Sequence, residues 1–162
     1  MTPQILACMA LVSNFYHLPP RVLPSIQAVE GGQPGLMSRN TNGSADLGIM
    51  QINTLWLRPL ARHTGQSEAV VQARLLHEPC FNIATAGAIL RIYLNEANGN
   101  LMRAIGNYHS HTPVRNQAYQ QRVLSAARRL FDTRAPMART DRSAPSVDQQ
   151  RRTRLSRQAD DG

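Results

Sequence analysis

The chain has 162 residues, 42% of them hydrophobic, and a formal net charge of +8 whose basic side is entirely arginine, since no lysine occurs. That length and apolar content fit one globular domain with some excess chain and exclude a wholly unstructured polymer; no run reaches the roughly 18 consecutive apolar residues of a membrane-crossing helix. The basic excess points to an anionic partner or setting without choosing among nucleic acid, membrane phosphate and acidic polymers.

Residues 4–16, QILACMALVSNFY, space Ile5, Cys8, Met9, Val12 and Phe15 or Tyr16 along one face of a helix, which HLPP then ends. The next segment, PRVLPSIQAVE, places Val22, Leu23, Ile26 and Val29 on one face, with Pro20 and Pro24 both early enough for a first turn, and Gly31 and Gly32 stop it. Between Gly31 and Gly48 the chain is rich in Gly, Asn and Ser without a period and reads as a long loop or irregular hairpin. LGIMQIN, residues 47–53, then offers a short extended piece. TLWLRPLARHTG reads as a short helix, and Ser67 caps another that runs through His77. Pro79 and Asn82 precede a strong helix, IATAGAILRIYLNEA, with Ile83, Gly87, Leu90 and Leu94 on its buried side and Asn98-Gly99 at its end. LMRAIGNYH is a further helix, and QAYQQRVLSAARRLF, with Val123, Ala127 and Leu130 inward, is the last. The expected class is mainly α, one helical domain over residues 1–131 with a short irregular hairpin or loop region. After Phe131 large apolar side chains become rare and Arg, Ser, Pro and Asp frequent. Such a stretch cannot bury enough surface to offset its ordering entropy, so residues 132–162 are expected to form a disordered, Arg-rich tail.

Cys8 and Cys80 lie far apart and match no zinc or redox spacing. A bridge between them is the expectation; it would close a long loop and imply an oxidising compartment, whereas two free buried thiols are the alternative. The opening MTPQILACMALV carries no early basic residue and no small-residue cleavage site, so no standard signal peptide is expected. ILA before Cys8 weakly resembles a lipoprotein signal, with too little chain ahead of it.

Ahead of Phe131 there are only five carboxylates, Glu30, Asp46, Glu68, Glu78 and Glu96. Glu30 ends an apolar helix directly before two glycines, where the negative end of the helix dipole and partial burial both raise a carboxyl pKa. A carboxylic acid that keeps its proton near neutral pH is what protonation of a glycosidic oxygen requires. Taken alone, the position also suits an ordinary solvated glutamate at a helix end.

Glu30 does not stand alone. GSADLGIMQIN follows some twenty residues later and AIGNYHS near the end of the domain, and over roughly residues 5–131 the chain resembles the goose-type lysozyme and lytic transglycosylase superfamily. Within it the sequence is most similar to the specialised transglycosylases of type IV secretion, conjugation and type IV pilus systems. The resemblance implies a lysozyme-like helical fold in which Glu30 is the catalytic acid and Tyr108 points its hydroxyl towards it. It implies a sugar groove walled by Gly48, Ile49, Met50 and Gln51, with Asn53 and Asn107 as further substrate contacts. It also implies peptidoglycan glycan strands as substrate, secretion or pilus components as possible partners, a periplasmic or cell-envelope location, and neither cofactor nor metal. Two departures stand out: Gly31 occupies the place where most relatives have Ser, and His109-Ser110-His111 replaces the usual Asn-Ala-Gly.

An ordinary glycosidase needs a second carboxylate, as nucleophile or as base for water. Goose-type hydrolases have acidic residues where Asn42 and Asn53 stand here, and Asp46, beside Gly and Ser, reads more readily as a turn former. The implied reaction is therefore intramolecular, with a 1,6-anhydromuramyl product; a lysozyme-like hydrolase using Asp46 is the alternative. An Arg-rich nucleic-acid binder is a separate reading, supported by RRTRLSR at 151–157 and opposed by the lack of a helix dense in Arg and aromatic residues. A zinc site built from His77, Cys80, His109 and His111 has no familiar spacing.

Overall fold

Thr2 opens the first helix by accepting the amide of Ile5 on its hydroxyl, and Pro3 occupies a first-turn position where its missing N–H costs nothing. The computed structural model describes residues 1–132, so the expected tail beyond Asp132 lies outside the described residues. Seven α-helices follow one another: α1 Pro3–Phe15, α2 Val22–Glu30, α3 Leu57–Thr64, α4 Glu68–His77, α5 Pro79–Glu96, α6 Leu101–His109 and α7 Pro113–Phe131. Between α2 and α3 the chain forms a small antiparallel sheet, β1 Met37–Arg39, β2 Ala45–Leu47 and β3 Ile52–Asn53, in the order β1-β2-β3, and then a 3-10 turn at Thr54–Trp56. The mainly α class with a short hairpin region is as expected.

Boundaries differ from the sequence reading where proline opens a helix. Both α5 and α7 begin four residues earlier than their apolar periodicity announces, at Pro79 and Pro113, because a first-turn proline lets a helix start before its apolar face does. Pro24 lies in the first turn of α2, but Pro20 lies in the preceding turn. The tract 47–53 is not one extended piece. Gly48 has φ +69° and Gln51 φ +50°, and the Gln51 amide donates to the Gly48 carbonyl, so residues 48–51 turn the chain between β2 and β3.

The core runs through α5, whose expected face of Ile83, Gly87, Leu90 and Leu94 is buried. Around it pack α1, α4 and α6, while α7 packs on α6 and α2. The inward side of α7 is Tyr119, Val123 and Ala126 rather than the expected line ending in Leu130, which is 47% exposed. Phe15, the last residue of α1, is exposed, and Tyr16 at the helix C-cap packs against the core instead.

Cys8 of α1 is disulfide-bonded to Cys80 at the start of α5, across a Cα separation of 5.6 Å and a sequence separation of 72. Closing so long a loop restricts the unfolded chain, so replacing both cysteines by alanine should lower the unfolding free energy by roughly 2–4 kcal/mol. Urea titration of the two proteins reads this directly, and coincident midpoints would refute it.

Candidate active site

Glu30 is the last residue of α2, and Gly31 supplies the left-handed C-cap, φ +64°, that ends the helix and turns the chain away. The glutamate lines a groove of about 680 Å³ whose walls are the β1–β2 hairpin on one side and the ends of α5, α6 and α7 on the other. Burial is the first cause that raises its pKa above the ordinary carboxyl value. A hydrogen bond from Tyr119 opposes the shift, the charge of Asp46 adds to it, and Arg122 opposes it.

The tyrosine bonded to the acid is not the one the sequence suggested. Tyr119 of α7, only 1% exposed, donates its hydroxyl to Glu30 Oε1 at 2.5 Å. Tyr108 also lines the groove, but its hydroxyl donates to the Met50 carbonyl at 2.9 Å. Burial, then the charges of Glu30 and Asp46, drive its pKa far upward, so it remains a neutral donor that ties α6 to the 48–51 turn. Tyr119 escaped the sequence reading because it lies 89 residues from Glu30 and is brought there by the packing of α2 against α7. Arg122, one turn further along α7, donates to the Val29 carbonyl and fixes the same end of α2.

With Oε1 accepting from Tyr119, and Oε2 making no hydrogen bond among the described residues, Oε2 is the oxygen open to carry a carboxyl proton. Removing the phenol should misplace the acid and raise its pKa, because the lost bond favoured the charged form. For Tyr119→Phe we expect kcat to fall roughly 10–100-fold and the alkaline limb of the pH–rate profile to move to higher pH. An unmoved limb with full kcat would contradict the assignment.

The groove wall differs in part from expectation. Gln51, Asn53 and Asn107 line it, whereas Gly48, Ile49 and Met50 are buried behind it and do not. The reason is local. In its left-handed conformation Gly48 lies against the Leu75 carbonyl and the Asn82 amide, where a Cβ would collide, and this pulls the turn onto α4 and α5. Asn82, fully buried, holds the turn there: its Nδ2 donates to the carbonyls of Leu47 and Leu75, each at 2.8 Å, and its Oδ1 accepts the Met50 amide at 2.9 Å. Nothing in the sequence reading gave Asn82 this role; the signal was a polar residue at the buried face of an apolar helix.

Gln51 donates through Nε2 to the Gly48 carbonyl, and its amide oxygen makes no hydrogen bond among the described residues. Asn53 donates to Asp46 Oδ1 at 2.7 Å and to Ser44 Oγ, and its own Oδ1 caps the 3-10 turn at Leu55. Asn40 donates to Asp46 Oδ2 at 3.0 Å, so both oxygens of Asp46 are held by side-chain amides, one from the β1–β2 loop and one from β3. Asn42 accepts from the Ser44 amide and hydroxyl. On the opposite wall Asn107 donates to Glu96 Oε1 and accepts from Asn116 Nδ2. Cys80 is taken by the disulfide and is not available to a zinc site. Among the described residues no group of three His, Cys, Asp or Glu side chains is placed to hold a metal, and no helix is long and apolar enough to cross a membrane.

The arrangement places a partly buried acid with a raised pKa in a polar groove, a geometry suited to protonating a leaving oxygen in a polysaccharide. The sequence model of the transglycosylase SLT domain matches residues 8–128. The chain belongs to the transglycosylase SLT domain family. The SLT domain thus occupies most of the described region, with Glu30, Gln51 and Tyr108 inside it. Among curated relatives, Invasion protein IagB of Salmonella typhimurium is 25% identical over 116 residues, covering 71% of this chain and 69% of its own. Protein IpgF of Shigella flexneri is 31% identical over 106 residues, covering 65% of this chain and 66% of its own. The SLT family acts on peptidoglycan by cleaving glycosidic bonds, and a peptidoglycan substrate fits this domain.

Proposed function

We propose that this protein is a lytic transglycosylase that cleaves the β-1,4 bond between N-acetylmuramic acid and N-acetylglucosamine and leaves a 1,6-anhydromuramyl end. The observation that carries the reading is the inequality of the two carboxylates in the groove. Glu30 is half-buried with a raised pKa and an Oε2 that has no hydrogen-bond partner among the described residues, while Asp46 has both oxygens occupied by Asn40 and Asn53. In this reading Glu30 Oε2 gives its proton to the glycosidic oxygen as the C1–O bond breaks. The resulting carboxylate takes the proton of the muramyl 6-hydroxyl, whose oxygen bonds to C1. Glu30 ends protonated and no water is consumed. The amide oxygen of Gln51 suits an N-acetyl N–H, which would fix the muramyl ring and help stabilise developing positive charge at C1.

Residues 1–131 are assigned as the catalytic domain. Its place of action is the periplasm or cell envelope, where it would open the wall locally for a secretion, conjugation or pilus apparatus. Support for that setting is the resemblance drawn from the sequence, the disulfide, and the name of the Salmonella relative as an invasion protein. Digestion of purified peptidoglycan followed by mass spectrometry tests the reaction: anhydromuramyl ends, one water lighter than hydrolytic ends, are expected. Reducing muramyl ends as the main product would refute it.

A further inference from the structure

His109 stands where the sequence departs from its relatives, and its ring is stacked on Tyr119 with 4.8 Å between centroids and 4° between planes. Such an offset parallel contact between aromatic rings fixes both and excludes water from the face they share. Tyr119 is in turn bonded to Glu30 and 1% exposed, whereas His109 is exposed and lines the groove. The imidazole therefore lies between the phenol and the open groove. It is the last residue of α6, and the packing of α6 on α7 brings it over Tyr119. Burial of its covered face, then Arg122 and Arg115 of α7, hold its pKa below the usual histidine value, with Asp46 of β2 acting the other way. The ring is thus biased towards its neutral form.

We infer that His109 is a positioning residue of this site: its ring roofs Tyr119, keeps the phenol on Glu30 and keeps water away from the pair. The inference rests on the reading of Glu30 as the acid. Since burial is the largest cause of the raised Glu30 pKa, removing the roof should wet the pair and let that pKa fall. The ring face matters here, not the nitrogens, so phenylalanine should replace histidine.

The test is steady-state kinetics on soluble glycan strands across pH for wild type, Glu30→Gln, His109→Ala and His109→Phe, with thermal unfolding of each. For His109→Ala we expect kcat to fall on the order of tenfold, KM to stay within about twofold of wild type, and the alkaline limb of the pH–rate profile to move to lower pH. His109→Phe should recover most of the loss and return the limb. An inactive Glu30→Gln together with a wild-type-like His109→Ala would overturn the role of His109 alone. A phenylalanine variant as impaired as the alanine variant would also overturn it, assigning the effect to the imidazole nitrogens. A raised KM with full kcat would make His109 a sugar contact instead. An active Glu30→Gln would overturn both this inference and the reading on which it rests.

Discussion

Glu30→Gln should fold as the wild type does and lose roughly 10²–10⁴-fold in kcat, the range a positioned general acid supplies. The amide keeps the shape and an oxygen to accept the Tyr119 hydroxyl, but it cannot donate the proton that departure of the glycosidic oxygen requires. Stability should change in the opposite direction to activity. A glutamate whose folded pKa is raised contributes stability that is fully present below its unfolded pKa and lost as pH rises through the folded one. The glutamine variant lacks that penalty, so its unfolding free energy should decline less between pH 5 and pH 8 than that of the wild type. Denaturant titrations at the two pH values measure the difference. A variant that retains activity would move the acid elsewhere, with Asp46 the next candidate.

Asn82→Ala should be the most damaging single change to the fold, lowering the unfolding free energy by about 3–5 kcal/mol. Three buried backbone groups, the Leu47 and Leu75 carbonyls and the Met50 amide, lose their partner at once. Water cannot replace it without opening the contact between the 48–51 turn, α4 and α5, because Asn82 is fully buried. Activity should fall as well, since the turn that carries Gln51 and receives the Tyr108 hydroxyl at Met50 is what Asn82 holds. Chemical denaturation reads the stability, and a loss below about 1 kcal/mol would show that the groups find other partners.

What could be read from the sequence, and what could not, divides by distance along the chain. Helices announced by local chemistry were legible: Asn100 caps α6 through the Arg103 amide, and its span of Leu101–His109 is the one expected. Ser67 caps α4 in the same way. Glu30 was legible because an acid at the end of an apolar helix is unusual and only five carboxylates precede Phe131. The 48–51 turn was not, because a positive φ at Gln51 is a conformation that sequence alone does not assign to glutamine. Of the long-range pairings, the Cys8–Cys80 bridge was expected and is present, but the pairing of Glu30 with its tyrosine was not legible. Tyr108 and Tyr119 both sit on helices facing the groove region, and only the packing of α2 on α7 decides which phenol meets Glu30. Motif residues at Gly48, Ile49 and Met50 pointed to the right place in the chain, but they serve by shaping the turn behind the groove, while the residue after them faces it.

The central claim is that Glu30 directs an internal oxygen, not water, to the anomeric carbon. Digestion of purified peptidoglycan in heavy-oxygen water tests it most directly, with the muramyl ends analysed by mass. Intramolecular attack leaves the new ends unlabelled and one water lighter than a reducing sugar, which is the result expected. Predominant incorporation of heavy oxygen at the muramyl end would contradict the account and assign the chemistry to a hydrolase in which Asp46 or another group activates water.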